Sequence, residues 1–137
     1  MVIVDTSVWV DYLNAVPNPE TSWLRIEINR QVIGLTDLVL CEVLQGLRDD
    51  AAVAPTRSAL AGCVVHSSGG EDLAVASALN YRRLRAAGIT IRKTIDCLIA
   101  TFCIENDHIF LHRDRDFDAF ETRLGLKVVH VAENPYV

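Results

Sequence analysis

The sequence predicts an α/β domain built on a parallel sheet with helices on both faces. Five short strand-like runs recur along it: Val2-Ile3-Val4, Val32-Ile33-Gly34-Leu35, Cys63-Val64-Val65-His66, Ile109-Phe110-Leu111 and Lys127-Val128-Val129-His130-Val131. Most are continuously apolar rather than alternating, as strands buried on both faces are. Helix-like segments separate them, and such alternation is the pattern of a parallel sheet. A length of 137 residues, half of them hydrophobic, suits one core, so residues 1–137 are expected to form a single domain. There is no repeat, low-complexity segment or internal linker.

The elements follow in order. The first strand ends at Asp5, after which Thr6 or Ser7 caps a helix carrying Val8, Trp9, Tyr12 and Leu13. Pro17 and Pro19 break it, and a second helix starts near Glu20 with Trp23, Leu24, Ile26 and Ile28. After the strand at 32–35, Thr36 or Asp37 caps a third helix that runs to Gly46 or Leu47. A helix around 55–61 precedes the strand at 63–66. The turn Ser67-Ser68-Gly69-Gly70 leads into the longest helix, 71–87, which Gly88 ends. Thr94 opens a helix to Asn106, and the strand at 109–111 follows. A short helix over 117–124 is closed by Gly125. The last strand is 127–131, and the tail 132–137 is expected to be irregular.

Composition narrows the function classes. A net charge of -5 argues against nucleic-acid binding through bulk charge. Local basic patches remain open, because seven of the 13 bases lie between Arg82 and Arg115. Arginine supplies 11 of the 13, and its donor fork matches phosphate. Arg82, Arg83 and Arg85 also fit a solvated helix face or complement a helix C-terminus. Cys41, Cys63, Cys97 and Cys103 form no C-x-x-C pair, which argues against zinc. Three of them lie in helix-like apolar stretches and are expected to be buried. The opening residues do not read as a signal peptide, and no apolar stretch reaches membrane length, so neither a leader nor a membrane span is expected. A soluble cytoplasmic protein of a reducing compartment is expected.

The chemistry lies in acids set at the ends of apolar runs. Asp5 closes the first strand, Glu42 interrupts the third helix, Asp96 opens the helix from Thr94, and Asp114 and Asp116 follow the strand at 109–111. Carboxylates avoid burial unless they are paired. In parallel sheets, ligands bind beyond the carboxyl ends of the strands, and connectivity biases these acids toward that edge. Two carboxylates ~4 Å apart repel by ~4 kcal/mol at an effective dielectric of 20. A hard divalent cation offsets that repulsion, and without a Cys or His pattern Mg2+ or Mn2+ fits better than zinc. Taken singly, each acid also fits a cap, a turn or an exposed helix stripe, so the inference rests on the set.

These residues also carry a family resemblance. Val4-Asp5-Thr6-Ser7-Val8-Trp9-Val10-Asp11-Tyr12-Leu13 resembles the opening motif of PIN-domain proteins, especially VapC-type toxins of toxin–antitoxin pairs. Glu42-Val43-Leu44-Gln45-Gly46, Thr94-Ile95-Asp96-Cys97-Leu98-Ile99-Ala100 and Leu111-His112-Arg113-Asp114-Arg115-Asp116-Phe117 resemble the second, third and fourth motifs. The resemblance implies a three-layer PIN-like domain with strand order 3-2-1-4-5. It implies an Mg2+- or Mn2+-dependent endoribonuclease that hydrolyses transfer, ribosomal or messenger RNA through metal-activated water on one or two ions. A homodimer and a small VapB-type antitoxin are the implied partners, with no membrane. Asp5, Glu42, Asp96 and Asp114 are the implied core carboxylates, and Asp116 is an accessory acid. Thr6, Ser7, Arg92, Lys93, Arg113 and Arg115 are candidate substrate contacts. His112 stands where many members have a hydroxyl residue, and it serves either the phosphate or the local structure.

Two other classes compete. An aspartyl-nucleophile phosphatase would use Asp5, but such enzymes usually carry a second Asp two residues later, where this chain has Ser7. A catalytically inactive binding module would receive a partner's arginine in the acidic pocket, without a metal. His66 and His130 are expected to be structural. The pairs Trp9 with Tyr12 and Trp23 with Ile26 are expected to pack in the core or to line a groove for a partner helix.

Overall fold

The computed structural model describes residues 1–132. The expected irregular tail lies outside them from residue 133 onward. The chain runs β1 (Val2–Val4), α1 (Thr6–Leu13), α2 (Pro19–Glu27), β2 (Ile33–Thr36), α3 (Asp37–Gln45), a 3-10 turn (Asp50–Ala52), α4 (Val53–Ala59), β3 (Val64–His66), α5 (Glu71–Ala86), α6 (Thr94–Glu105), β4 (Ile109–Leu111), a second 3-10 turn (Arg115–Phe117), α7 (Asp118–Leu124) and β5 (Lys127–Val128). The strands form one sheet in the order β3-β2-β1-β4-β5. Every pairing is parallel, as the continuous apolar runs require.

The central strand explains the construction. Ile3 and Val4 are completely buried, and β1 pairs with β2 on one side and β4 on the other. Trp9, Leu35, Val39, Ile99, Phe110, Leu111, Phe117 and Phe120 complete a single core. Each such side chain contributes ~1.5–3 kcal/mol by leaving water. Trp9 is therefore a core residue, with Tyr12 edge-on against it at 5.7 Å, whereas Ile26 is exposed. Cys97 and Cys103 are buried as expected, but Cys41 is exposed because it lies on the outward side of α3.

Several boundaries shift for local reasons. Asp5, rather than Thr6 or Ser7, caps α1, because its carboxylate accepts from the Ser7 N–H. Asn18 and Thr21 form a capping box that starts α2 at Pro19. β5 stops at Val128, because as an edge strand it pairs only with Ile109 and Phe110. Between α5 and α6, the Asn80 amide donates to Thr101 Oγ1 at 3.0 Å and Cys97 Sγ to the Ser77 carbonyl at 3.3 Å. Asp72, Leu73 and Ala76 share a cleft with Phe102, Glu105 and Asn106, so the two helices run antiparallel.

Candidate active site

Each acid of the set stands where an element begins or where a helix crosses the carboxyl edge of the sheet. Asp5 follows β1 and caps α1. Its Oδ2 accepts from the Ser7 N–H at 3.1 Å and the Ser7 hydroxyl at 2.6 Å. Asp114 follows β4 and caps the second 3-10 turn, accepting from the Asp116 N–H at 2.9 Å. The Asp114 cap uses Oδ1, and both bonds from Ser7 fall on Oδ2 of Asp5. Asp96 occupies the first turn of α6, and Glu42 lies on α3, which leaves β2.

The acids converge. Donor oxygens of Asp96, Asp114 and Asp116 lie within 4.8 Å of one another. Asp5 and Glu42 complete the group through their charges, which act on Asp96 and on each other. Asp116 is thus part of the tightest trio. Asp5 stands just outside that trio, although its charge is the strongest acting on Asp96.

Burial makes the site electrostatically tense. Asp5 is only 4% exposed, and desolvation lifts its carboxyl to about 6 despite the hydrogen bonds from Ser7. Asp96 is 5% exposed and also lies at about 6. Desolvation is the larger cause there and the charge of Asp5 the next, while Lys93 pulls the other way. Asp96 Oδ2 is buried without a hydrogen-bond partner. A buried, unsatisfied carboxylate oxygen is costly, and such groups mark functional positions.

This donor set fits a hard divalent cation. Its ligands are all carboxylate oxygens, several of them close together, and one has no protein partner.

The other expected site residues divide. The Thr6 hydroxyl donates to Glu42 Oε1 at 2.8 Å, so it orients that acid. The Ser7 hydroxyl bonds Asp5 and accepts from the Arg113 N–H at 3.0 Å, tying α1 to the loop after β4. Arg92, Lys93 and Arg115 are exposed, and the charge of Lys93 acts on Asp96. The Arg113 side chain is held by Glu20 at 2.8 Å. Sequence reasoning missed Glu20, because no local signal links residues so far apart in the chain. His112 packs on Phe110 and Phe117, and its Nδ1 accepts from the Asp114 N–H at 3.1 Å. Burial holds its imidazole below the usual value. Because Nδ1 accepts, the ring proton belongs on Nε2, and the imidazole fixes the start of the Asp114 turn.

Residues 2–122 match the PIN domain family. The chain belongs to the PIN-domain family. VapC ribonuclease Mb1587 of Mycobacterium bovis is 31% identical to it over 86% of this chain and 90% of its own length. Ribonuclease VapC11 of Mycobacterium tuberculosis gives the same figures. Among solved structures, VapBC2 from Rickettsia felis, bound to a fragment of promoter DNA, superposes with a TM-score of 0.76. It is 16% identical over 94% of this chain and 98% of that one. Mycobacterium tuberculosis VapC20, a sarcin–ricin loop cleaving toxin, superposes with a TM-score of 0.65 at 18% identity, over 87% of this chain and 94% of that one. At these identities the superpositions establish the PIN fold, with its 3-2-1-4-5 parallel sheet.

Proposed function

We propose that this PIN-domain protein is the ribonuclease toxin of a VapBC-type pair and that it hydrolyses RNA phosphodiester bonds to a 5′-phosphate and a 3′-hydroxyl. The observation that carries the proposal is Asp96, buried with one oxygen unpartnered, in a trio of carboxylates with Asp114 and Asp116. The ribonuclease names of relatives that match most of the chain support the same activity.

Asp96, Asp114 and Asp116 would hold Mg2+ or Mn2+, with Asp5 and Glu42 completing the carboxylate set for one or two ions. When bound, the cation supplies positive charge for the phosphodiester oxygens and acidifies water for attack. The chain's own residues do the positioning. Ser7 fixes Asp5, Thr6 fixes Glu42, and His112 fixes the turn that carries Asp114 and Asp116. Glu42 accepts a proton from, or orients, the attacking water. Arg92, Lys93 and Arg115 contact the RNA backbone at the cut. Arg113, committed to Glu20, braces the loop.

A VapB-type antitoxin is the proposed partner, and the solved VapBC complexes of like fold support it. A cleft of about 500 Å³ between α1 and α3, lined by Val10, Leu13, Val43 and Leu47, suits the apolar face of an amphipathic helix. The working form is a homodimer in the cytoplasm. Among the described residues no helix is long and apolar enough to cross a membrane.

The decisive experiment incubates the partner-free protein with total cellular RNA, with and without Mn2+ or Mg2+, beside Asp96→Asn, and maps the cut ends. Metal-dependent cutting with 5′-phosphate ends, lost in Asp96→Asn, is expected. Cutting that survives Asp96→Asn would remove the site assignment. Failure to bind divalent cations in a calorimetric titration would leave an inactive binding module.

A further inference from the structure

From Leu73 to Ile95 the chain carries Arg82, Arg83, Arg85, Arg92 and Lys93 and no acid. The remaining residues hold eight bases against eighteen acids. This is the sharpest charge reversal in an acidic protein, and only its Arg92–Lys93 end borders the catalytic acids directly. Arg82, Arg83 and Arg85 occupy the last turns of α5. Ser77, Asn80 and Leu84 are the buried residues of that helix. At ~100° per residue, Arg82 lies on the far side from them, with Arg83 and Arg85 on the two flanks. All three are exposed. Among the described residues none forms an ion pair with a carboxylate. Arg85 instead lies over the Tyr81 ring, 5.6 Å from its centroid.

The fold aims this ridge at the site. Because α5 and α6 run antiparallel, the arginine end of α5 adjoins the end of α6 that begins at Thr94 and carries Asp96. Arg92 and Lys93 lie on the connection between the two. A run of exposed bases therefore leads from the catalytic edge out along α5.

We propose that Arg82, Arg83 and Arg85 form a second, sequence-independent RNA contact, gripping phosphates of the strand several nucleotides from the cut. The inference rests on the ribonuclease activity proposed above and extends it to how the substrate is held. Guanidinium groups pair with phosphate oxygens in a bidentate fork, and three unpaired ones spread around the exposed side of one helix end favour a polyanion over a single carboxylate. Tyr81, with Arg85 already over its ring, adds a surface on which a base stacks. Complementing the dipole of α5 would account for Arg83 and Arg85 in its last turn, but not for Arg82 on the outer face.

The test measures RNA binding by uncut complexes of Asp96→Asn, with and without R82Q/R83Q/R85Q, over a range of salt concentrations. Each single-strand phosphate contact contributes about 0.7 to the slope of log affinity against log salt, so the triple variant should flatten it by about 2. R82K/R83K/R85K should keep the slope. In the active background, R82Q/R83Q/R85Q should raise KM for a long RNA and leave kcat unchanged. Cleavage of an oligonucleotide too short to reach α5 should not change. An unchanged slope and KM would overturn the proposal, as would lowered thermal stability with RNA affinity intact, which would assign the arginines to the helix alone. Weakened binding of an acidic peptide with RNA unaffected would overturn it in favour of a protein partner. A wild-type protein that binds RNA through these arginines yet cuts none would refute the nuclease activity and leave the ridge standing.

Discussion

At the scale of single residues, the acids of this PIN domain are set against folding. Asp5 and Asp96 are buried as potential anions, and Asp96 lacks a partner for one oxygen. Asp96→Asn should therefore abolish cleavage and also raise the melting stability of the metal-free protein, because it removes a buried charge from among neighbouring carboxylates. Denaturant titration checks the second outcome independently of activity. His112 makes the opposite case. Its Nδ1 accepts the Asp114 N–H between two aromatic rings, so His112→Ala should cost about 1 kcal/mol and slow cleavage through the displaced Asp114 turn. His112→Asn, which keeps an acceptor at that place, should recover most of the rate, and the pH–rate profile should not change shape. A profile that lost a limb in His112→Asn would instead make the imidazole a proton carrier.

At the scale of elements, helix caps decide where the chemistry stands. Thr36 ends β2 and caps α3, accepting from the Val39 N–H at 3.1 Å while completely buried. Thr36→Ala should cost about 1 kcal/mol in thermal unfolding, and it should reduce cleavage because Glu42 rides on that helix. The order of strands and helices was legible because apolar runs and breakers are local signals. Val2-Ile3-Val4 and the Gly88 stop read correctly from neighbours alone. What stayed hidden was long-range or subtractive. Asp5 as the cap of α1 looked no different from Thr6 or Ser7 as a cap. The shortness of β5 follows from its edge position, which no run of valines reveals. The convergence of the acids was legible as a set, because strand-end carboxylates in a parallel sheet share one edge. Which three lie closest was not, since Asp116 owes its place to the 3-10 turn after Asp114. Arg113 looked like a free base until Glu20, distant in sequence, appeared beside it.

At the scale of the whole molecule, the site links ionisation to stability. Asp5 and Asp96 titrate at about 6, against an ordinary 3.8. The folded protein thus holds these protons more tightly than the unfolded chain, and their contribution to stability is present at low pH and lost as pH rises through about 6. His108 and His112, both held below the usual imidazole value mainly by burial, act in the other direction. Asp96→Asn should exceed wild type in melting temperature most above pH 7, and the gap should close toward pH 5. Saturating Mg2+ or Mn2+ should raise the wild-type melting temperature at pH 7.5 and release protons near pH 6, both measurable by calorimetry. The unpartnered oxygen of Asp96 has a practical sequel. Any occupant that satisfies it, whether ion, guanidinium or small molecule, offsets the cost of burying that oxygen. A plain thermal-shift screen on the unliganded protein thus becomes a detector for inhibitors, without RNA and without turnover.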